Sequence, residues 1–247
     1  MRHFGIIGKP LVQSFSARYF NEKFEREGID AEYSLYPLER IEDAVRLLDS
    51  LDGMNVTMPY KQDIIPLLDG LDDTAEKVGA VNVICKHKGY NTDCLGFIRS
   101  IREILQAEDR RALVLGTGGA SKAVQYGLQQ LGLDITIVSR TPKEGMIGNT
   151  GKTGITSLIG YADLTEDVMR SHQVIVNTTP LGMYPDINSS APIPYQWIEA
   201  KHLLFDCVYN PEQTVFLAEG KKRGARTMNG MGMLHGQAEE AWKIWNS

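Results

Sequence analysis

Cysteine is scarce in this chain: Cys85, Cys94 and Cys207 are all there is, an odd number with no C-x-x-C pair. That argues against a disulfide framework and against a structural zinc site, and it suits a reducing compartment. Long apolar runs are missing as well, so no window reaches the length a membrane-spanning helix needs. The opening "MRHFGIIGKP" carries too brief an apolar run, ended by glycine and proline, to read as a secretion signal. Basic charge is in deficit, with 26 Lys and Arg against 31 Asp and Glu and a net charge of −5. Nothing therefore calls for a polyanionic partner, and the short runs Lys86-His87-Lys88 and Lys221-Lys222-Arg223 read as solvated faces. Internal repeats and low-complexity tracts are absent too. The expectation is a cytoplasmic protein with no nucleic-acid partner, no membrane partner and no metal.

What is present is an alternation of strand-like and helix-like segments in a chain of 247 residues, 43% hydrophobic and 23% charged. Phe4 to Ile7 reads as a buried strand. A helix over "ARYFNEKFEREG" follows, with Ser16 as its expected cap, Phe20 and Phe24 on one face and Gly28 at its end. "AEYSLYPL" reads as a strand, and "RIEDAVRLLDSL" as a helix with Ile41, Ala44, Val45, Leu48 and Leu51 at helical spacing. "NVTMPYK" reads as a short strand through Thr57 that stops at Pro59. After a polar helix near Asp72 to Val78, "AVNVICKHKGYNTD" reads as two short strands joined by a basic turn. "LGFIRSIREIL" serves as a connector to a second alternating unit. Its strands are "ALVL", "ITIV", "QVIVN" and "HLLFDCVY", with a polar, glycine-rich loop over residues 142–157. The last segment places Met231, Leu234, Ala238, Ala241, Trp242 and Trp245 on one helical stripe. The expected class is α/β in two domains with a cleft between them.

"GTGGAS", Gly116 to Ser121, follows an apolar strand and opens a helix, the context a dinucleotide-binding turn requires. Gly116 permits the tight turn, Gly118 lets the backbone approach a pyrophosphate, and the amides of Gly119, Ala120 and Ser121 point at the anion from the helix N-terminus. Ser121 takes the third small position. An NAD site of this kind places a carboxylate at the end of the second strand, but here that strand ends in Ser139-Arg140-Thr141. A guanidinium flanked by hydroxyls suits a 2′-phosphate, so the expected cofactor is NADP(H).

The first hundred residues gather polar side chains at strand ends: Ser14 and Ser16 before a helix, Thr57 and Lys61, Asn82, and Asn91-Thr92-Asp93. Together with "GKPLVQSFS", "NVTMPYK", "GAVNV", "NTD", "GTGGAS", "SRT", "NTTPLGM", "FDCVYNPEQTVFL" and "NGMGMLHGQA", in that order, they make the chain resemble the NADP-dependent shikimate dehydrogenase family over almost its whole length. The resemblance implies a substrate-binding and catalytic domain over 1–100, a Rossmann-type NADP-binding domain over 101–227, and a C-terminal helix over 228–247 returning to the first. It implies reversible NADPH-dependent reduction of 3-dehydroshikimate to shikimate, in aromatic amino-acid biosynthesis, by a monomer or homodimer.

Carried onto this sequence, the resemblance makes Lys61 and Asp93 the catalytic pair, and Ser14 and Ser16 the carboxylate-binding serines. Thr57, Asn82 and Gln237 become contacts to ring hydroxyls or carboxylate, and Tyr209 a neighbour of the substrate. Gly230 and Met233 fall near the nicotinamide, Thr178 joins the cofactor-binding set, and Ser139, Arg140 and Thr141 form the 2′-phosphate clamp. The chain departs from the family pattern at Gln13, Ala17, Cys94 and Ser139, where histidine, proline, glycine and asparagine are common. Three rival readings stand beside it: an NAD-dependent quinate/shikimate dehydrogenase, a nucleotide-sensing binding protein without turnover, and a two-domain folate dehydrogenase. Reduction of a ketone builds negative charge on its oxygen, and an ammonium held by a carboxylate can stabilise and protonate it.

Overall fold

A computed structural model describes residues 1–11, 14–142 and 155–247. Its contacts divide it into two units, Met1–Thr92 with Gln237–Ser247, and Asp93–Gly236. Gln13 and residues 143–154 of the polar stretch lie outside the described residues.

The first unit is built on a six-stranded mixed sheet. Strands β1 (Arg2–Gly8), β2 (Ala31–Pro37), β3 (Gly53–Val56), β4 (Gly70–Leu71), β5 (Val83–Cys85) and β6 (Lys88–Tyr90) take the order β2-β1-β3-β5-β6-β4. β1 runs parallel to β2 and β3, while β5 is antiparallel to both β3 and β6. The alternation expected of strands sorts the side chains: Phe4 and Ile6 face one hydrophobic cluster, and Ile7, Met54 and Val56 face the other. The first cluster is aromatic. Helix α1 (Phe15–Glu27) contributes Phe20 and Phe24, and helix α8 (Met231–Trp245) contributes Ala238, Ala241 and Trp245. Trp245 stacks on Phe4 with ring centroids 4.9 Å apart, and its indole nitrogen donates to the Ile84 carbonyl. The end of α8 is therefore part of this unit's core. Helices α2 (Val45–Ser50) and α3 (Asp73–Val78) complete the unit, the latter capped by the Asp72 carboxylate accepting from the Ala75 amide.

Two sequence expectations are corrected here. The N-cap of α1 is Ser14 rather than Ser16, which is the second helical residue and is buried. Strand β3 ends at Val56, so Thr57 lies just past it, although its amide still donates to the Ile7 carbonyl at 2.9 Å. Backbone bonding to the β1 side continues to the Met58 carbonyl, which accepts from the Lys9 amide at 2.9 Å, and the chain then turns at Pro59 and Tyr60, whose amide donates to the Thr57 carbonyl.

The second unit carries a six-stranded, wholly parallel sheet. Its strands are β7 (Arg111–Leu115), β8 (Asp134–Ser139), β9 (Ile155–Gly160), β10 (Val174–Asn177), β11 (Leu203–Asp206) and β12 (Arg226–Met228). The order is β12-β11-β10-β7-β8-β9, the doubly wound arrangement in which the order reverses between β7 and β10. Strict alternation sends Ala112, Val114, Val174, Val176, Leu203 and Phe205 to one face, and Leu113, Leu115, Ile175 and Leu204 to the other. Helices α4 (Asp93–Arg102) and α5 (Gly119–Gln130) cover the first face, with Met233 from the start of α8. Helix α7 (Val215–Lys222) covers the second, with Met169 from α6 (Glu166–Ser171). Arg226 of β12 makes a bidentate ion pair with Asp109, both contacts at 2.9 Å, and so ties the sheet edge to the segment before β7.

The loop expected over 142–157 is corrected at its end, because Ile155–Gly160 pairs along β8 as a strand. Helix α6 and strand β12 are further elements that the sequence pattern did not separate from their surroundings. Each is short, and neither has the apolar periodicity that marks its neighbours. Among the described residues no helix is long and apolar enough to cross a membrane.

Candidate active site

In the first unit, Asn82 is the centre of a buried polar cluster. Its Oδ1 accepts from the Thr92 amide at 2.7 Å, its Nδ2 donates to Thr92 Oγ1 at 2.9 Å, and the same Nδ2 reaches Gln237 Oε1 at 3.4 Å. The Asn82 carbonyl accepts from the Val56 amide and from Asn55 Nδ2 at 3.1 Å. Asn55 Oδ1 in turn accepts from the Tyr33 hydroxyl at 2.6 Å, and Ser16 hydrogen-bonds the same phenol oxygen. Burial pushes the Tyr33 phenol well above its ordinary range, against the smaller opposing effect of Ser16. Ser16, Asn82 and Gln237, singled out in the sequence separately, are thus joined by Tyr33, Asn55 and Thr92. Tyr33 and Asn55 were not singled out. The signal that could have found Asn55 is a lone amide inside an otherwise apolar, buried four-residue strand.

Lys61 belongs to the same unit and is half-buried. Its carbonyl accepts from the Val81 amide at 2.7 Å, so the lysine's backbone is anchored one residue from Asn82. Asp93 is covalently next to Thr92, opens helix α4 in the second unit, and is buried. Ser14, the N-cap of α1, makes no side-chain bond to its own helix. Thr57 is half-buried and lays its methyl against Gly8.

In the second unit the glycine-rich turn stands at the point where strand order reverses. Gly116 has φ of +109°, a conformation L side chains rarely adopt, and a Cβ there would stand 2.8 Å from Thr178 Oγ1. Thr178 follows β10 and donates to the Leu115 carbonyl at 2.6 Å, so the ends of β7 and β10 are stitched together at the switch point. Ser121, fully buried in α5, donates to the Gly116 carbonyl at 2.6 Å and fixes the turn from the helix side. Gly118 is the N-cap of α5, with no side-chain cap and open space where its Cβ would be. Gly119 and Ala120 begin the helix, so its first amides are presented past that open space.

At the end of β8, Ser139 is buried and its Oγ accepts from the Thr141 amide, while Arg140 and Thr141 are exposed. The Arg140 charge reaches the Tyr161 phenol, where it opposes the upward push of burial. Gly230 donates its amide to the Val208 carbonyl at 3.1 Å and sits against Cys207, two residues before the half-buried Tyr209. Met233 packs into the core beneath the sheet. The residues expected to hold a dinucleotide therefore fall at three neighbouring strand ends, β7, β8 and β10, with Gly230 just past β12 and bonded to Val208, beside Tyr209, which is expected at the substrate. Among the described residues no group of His, Cys, Asp and Glu side chains is arranged to hold a metal ion.

Residues 6–84 match the family model described as the shikimate dehydrogenase substrate binding domain. A shikimate dehydrogenase (NADP(+)) of Methanosphaera stadtmanae is 36% identical over 255 residues, covering 98% of this chain and 90% of that protein. The chain belongs to the shikimate dehydrogenase family. The fold agrees along its length. Shikimate dehydrogenase 1 of Peptoclostridium difficile superposes with a TM-score of 0.87 at 31% identity, covering 100% of this chain and 92% of that one. The shikimate 5-dehydrogenase of Thermus thermophilus, solved in complex with NADP(H) and shikimate, superposes with a TM-score of 0.85 at 27% identity, covering 99% of this chain and 93% of that one.

Proposed function

We propose that this chain is an NADP-dependent shikimate dehydrogenase, which reversibly reduces the 3-ketone of 3-dehydroshikimate to shikimate in the cytoplasm. The observation that carries the reading is the buried Asn82–Thr92–Gln237 cluster. Among the residues that adjoin it in the chain are Val81, whose amide anchors the Lys61 carbonyl, and the acid Asp93. A neutral set of amides and hydroxyls suits a ligand rich in hydroxyl groups, because analogues lacking them leave buried partners unpaired.

The nucleotide fits the second unit. Gly116 and Thr178 close the turn, Gly118 leaves room for a pyrophosphate in front of uncapped amides, and Arg140 with Ser139 and Thr141 supplies a cationic, hydroxyl-flanked end for a 2′-phosphate. Gly230 and Met233 complete the proposed nicotinamide side. When bound, NADPH supplies the hydride for the ketone. Lys61 donates a hydrogen bond to the oxygen at C3 and then its proton as charge develops there. Asp93 orients the ammonium and accepts from a ring hydroxyl. Ser14 and Ser16 hold the carboxylate, while Thr57, Asn82, Gln237 and Tyr209 fix the ring. In this assignment residues 1–100 with the C-terminal segment form the substrate domain and 101–227 the NADP domain, except that Tyr209 serves the substrate and Gly230 and Met233 serve the nicotinamide.

The deciding experiment measures initial rates with shikimate and quinate, each against NADP and NAD. Shikimate-dependent reduction of NADP is the expected result. A strong preference for NAD would overturn the role given to Arg140. Tight NADP binding without turnover on shikimate would replace the enzyme by a nucleotide-sensing protein.

A further inference from the structure

One buried carboxylate of the second unit has no part in the chemistry above. Asp206, the last residue of β11, is completely inaccessible. Its Oδ1 accepts from the Val208 amide and from Asn177 Nδ2, each at 3.0 Å, and its Oδ2 accepts from Thr214 Oγ1 at 2.6 Å. These partners are neutral, and the titratable group that feels the carboxylate is the Tyr195 phenol, itself pushed up to about 12 by burial. Among the described residues the hub is therefore a charge held by three hydrogen bonds rather than by an ion pair.

What the three bonds hold is the backbone of the site. Asn177 immediately precedes Thr178, which is stitched to the glycine turn. Val208 immediately precedes Tyr209, and its carbonyl accepts from the Gly230 amide. Thr214 caps helix α7 and closes the loop that begins at Cys207. A Cβ on Gly230 would overlap the Cys207 carbonyl, so this strand end and the approach to α8 are packed backbone on backbone.

We propose that Asp206 is a positioning residue for the reaction: as a carboxylate it fixes the backbone that presents Tyr209 and Gly230, and as a carboxylic acid it releases that backbone. The inference rests on the proposed function. An ionised carboxylate offers acceptors to all three donors at once. A proton on Oδ2 meets the Thr214 hydroxyl, which must then turn its own hydrogen away from Asp206. Burial pushes this carboxyl up to about 6, against the opposing pull of Thr214, the Val208 amide and Asn177. The two states therefore exchange near neutral pH.

The test is kcat/KM for shikimate against pH, with NADP saturating, in four proteins. The wild type is expected to lose activity about tenfold as pH falls through about 6. Asp206→Asn mimics the protonated acid and is expected to sit about tenfold below wild type at pH 8, with no acid limb between pH 5 and 7. Thr214→Val removes one hydrogen bond to the charged form and is expected to move the limb upward by about one pH unit, while Thr214→Ser keeps it in place. The proposal is overturned if Asp206→Asn retains wild-type kcat/KM at pH 8, or if Thr214→Val leaves the limb unmoved. The second result decides the matter where Asp206→Asn does not fold. Absence of shikimate oxidation by the wild type at every pH would overturn the proposed function and this inference together. Normal oxidation with an unmoved limb overturns this inference alone.

Discussion

The Tyr33 hydroxyl donates to Asn55 Oδ1 at 2.6 Å, deep in the first unit, where β2 and β3 each deliver a polar group into an apolar sheet. The phenol has one proton and spends it on Asn55, so Ser16, bonded to the same oxygen, must be the donor of its pair. The relation thus sets the direction of every bond from Ser16 through to the Asn82 carbonyl.

Tyr33→Phe keeps the ring stacked on Phe20, whose centroid is 5.1 Å away, and removes only the oxygen. Asn55 Oδ1 is left buried without that donor, which should lower stability by about 1–3 kcal/mol in urea unfolding. Ser16 loses its anchor, so KM for shikimate should rise while KM for NADP stays near wild type. Equal changes in both KM values would contradict the link between Tyr33 and the proposed carboxylate site.

Two glycines make opposite predictions. At Gly230 an added methyl meets the Cys207 carbonyl, with the carbonyl carbon at 2.7 Å, and backbone cannot step aside cheaply. Gly230→Ala should therefore lower the melting temperature clearly, at a cost of about 1–3 kcal/mol or more. At Gly118 no described residue outside its chain neighbours stands within 4 Å of the same methyl, and the backbone φ of −77° suits any residue. Gly118→Ala should melt like wild type yet raise KM for NADP about tenfold or more, because the methyl occupies room the proposed pyrophosphate needs. A normal KM for NADP in that variant would remove Gly118 from the cofactor site.

The contrast explains which parts of this molecule could be read from its residues. β7, the glycine turn and α5 announce themselves, since an apolar run, three glycines and a helical stripe follow one another within about twenty positions. The doubly wound order is implied by alternation of strand and helix. β-branching favours strands and places Thr57 in β3, but the paired register with β1 ends at Val56, leaving Thr57 with one backbone bond to β1. Serine before a helix is usually its cap, which is the sequence expectation for Ser16. Ser14 holds that place, and Ser16 is turned inward to Tyr33 by a strand that begins fifteen residues later. The Asp206 hub could not be read at all: Asn177, Asp206 and Thr214 have no common spacing, and only the parallel pairing of β10 with β11 brings the first two side by side.

Asp206 also predicts a dependence of stability on pH opposite to that of activity. Its folded carboxyl titrates at about 6 against an ordinary 3.8, so between those values the folded chain binds the proton that the unfolded chain has released. Stability from this group therefore falls as pH rises from about 4 to 6, by about 2–3 kcal/mol in all. Comparison with Asp206→Asn, which has no such group, isolates the effect in urea unfolding at pH 4.5 and pH 7, roughly the two sides of the window. Below pH 6 the wild type should thus be less active while this group makes it more stable, which separates a local rearrangement from acid unfolding. A wild-type midpoint that rises with pH relative to the variant would contradict the sign.

Lys61 and Asp93 carry the proposed proton chemistry, and their substitutions should part from each other. Lys61→Ala removes the proton donor and should lower kcat by about 10²–10⁴-fold with KM for NADP little changed. Asp93→Asn keeps a hydrogen-bonding group of the same shape, so a strong but smaller loss of kcat is expected. Stopped-flow reduction of NADP with saturating shikimate reads the step directly. Near-normal turnover in Lys61→Ala would assign the proton to another group.

In the proposed cofactor site, Arg140 is the residue that decides between the two nicotinamide nucleotides. It is exposed at the end of β8, it lies between hydroxyl side chains, and its charge reaches the Tyr161 phenol on the neighbouring strand end. No carboxylate occupies the position that would take the ribose hydroxyls of NAD. A guanidinium on a dianionic phosphate makes charge-assisted bonds of about 1.5–3 kcal/mol each, and a lone phosphate has no other cation in the Ser139-Arg140-Thr141 segment. Arg140→Ala should then cut the preference for NADP over NAD by about 10–100-fold. The change should lie in KM for NADP, leaving kcat and KM for shikimate near wild type, because the phosphate takes no part in the reaction. Salt should weaken NADP binding to the wild type more than to the variant, as expected when one exposed ion pair is lost. If the preference survives Arg140→Ala, the 2′-phosphate is held elsewhere and the reading of the second strand end fails.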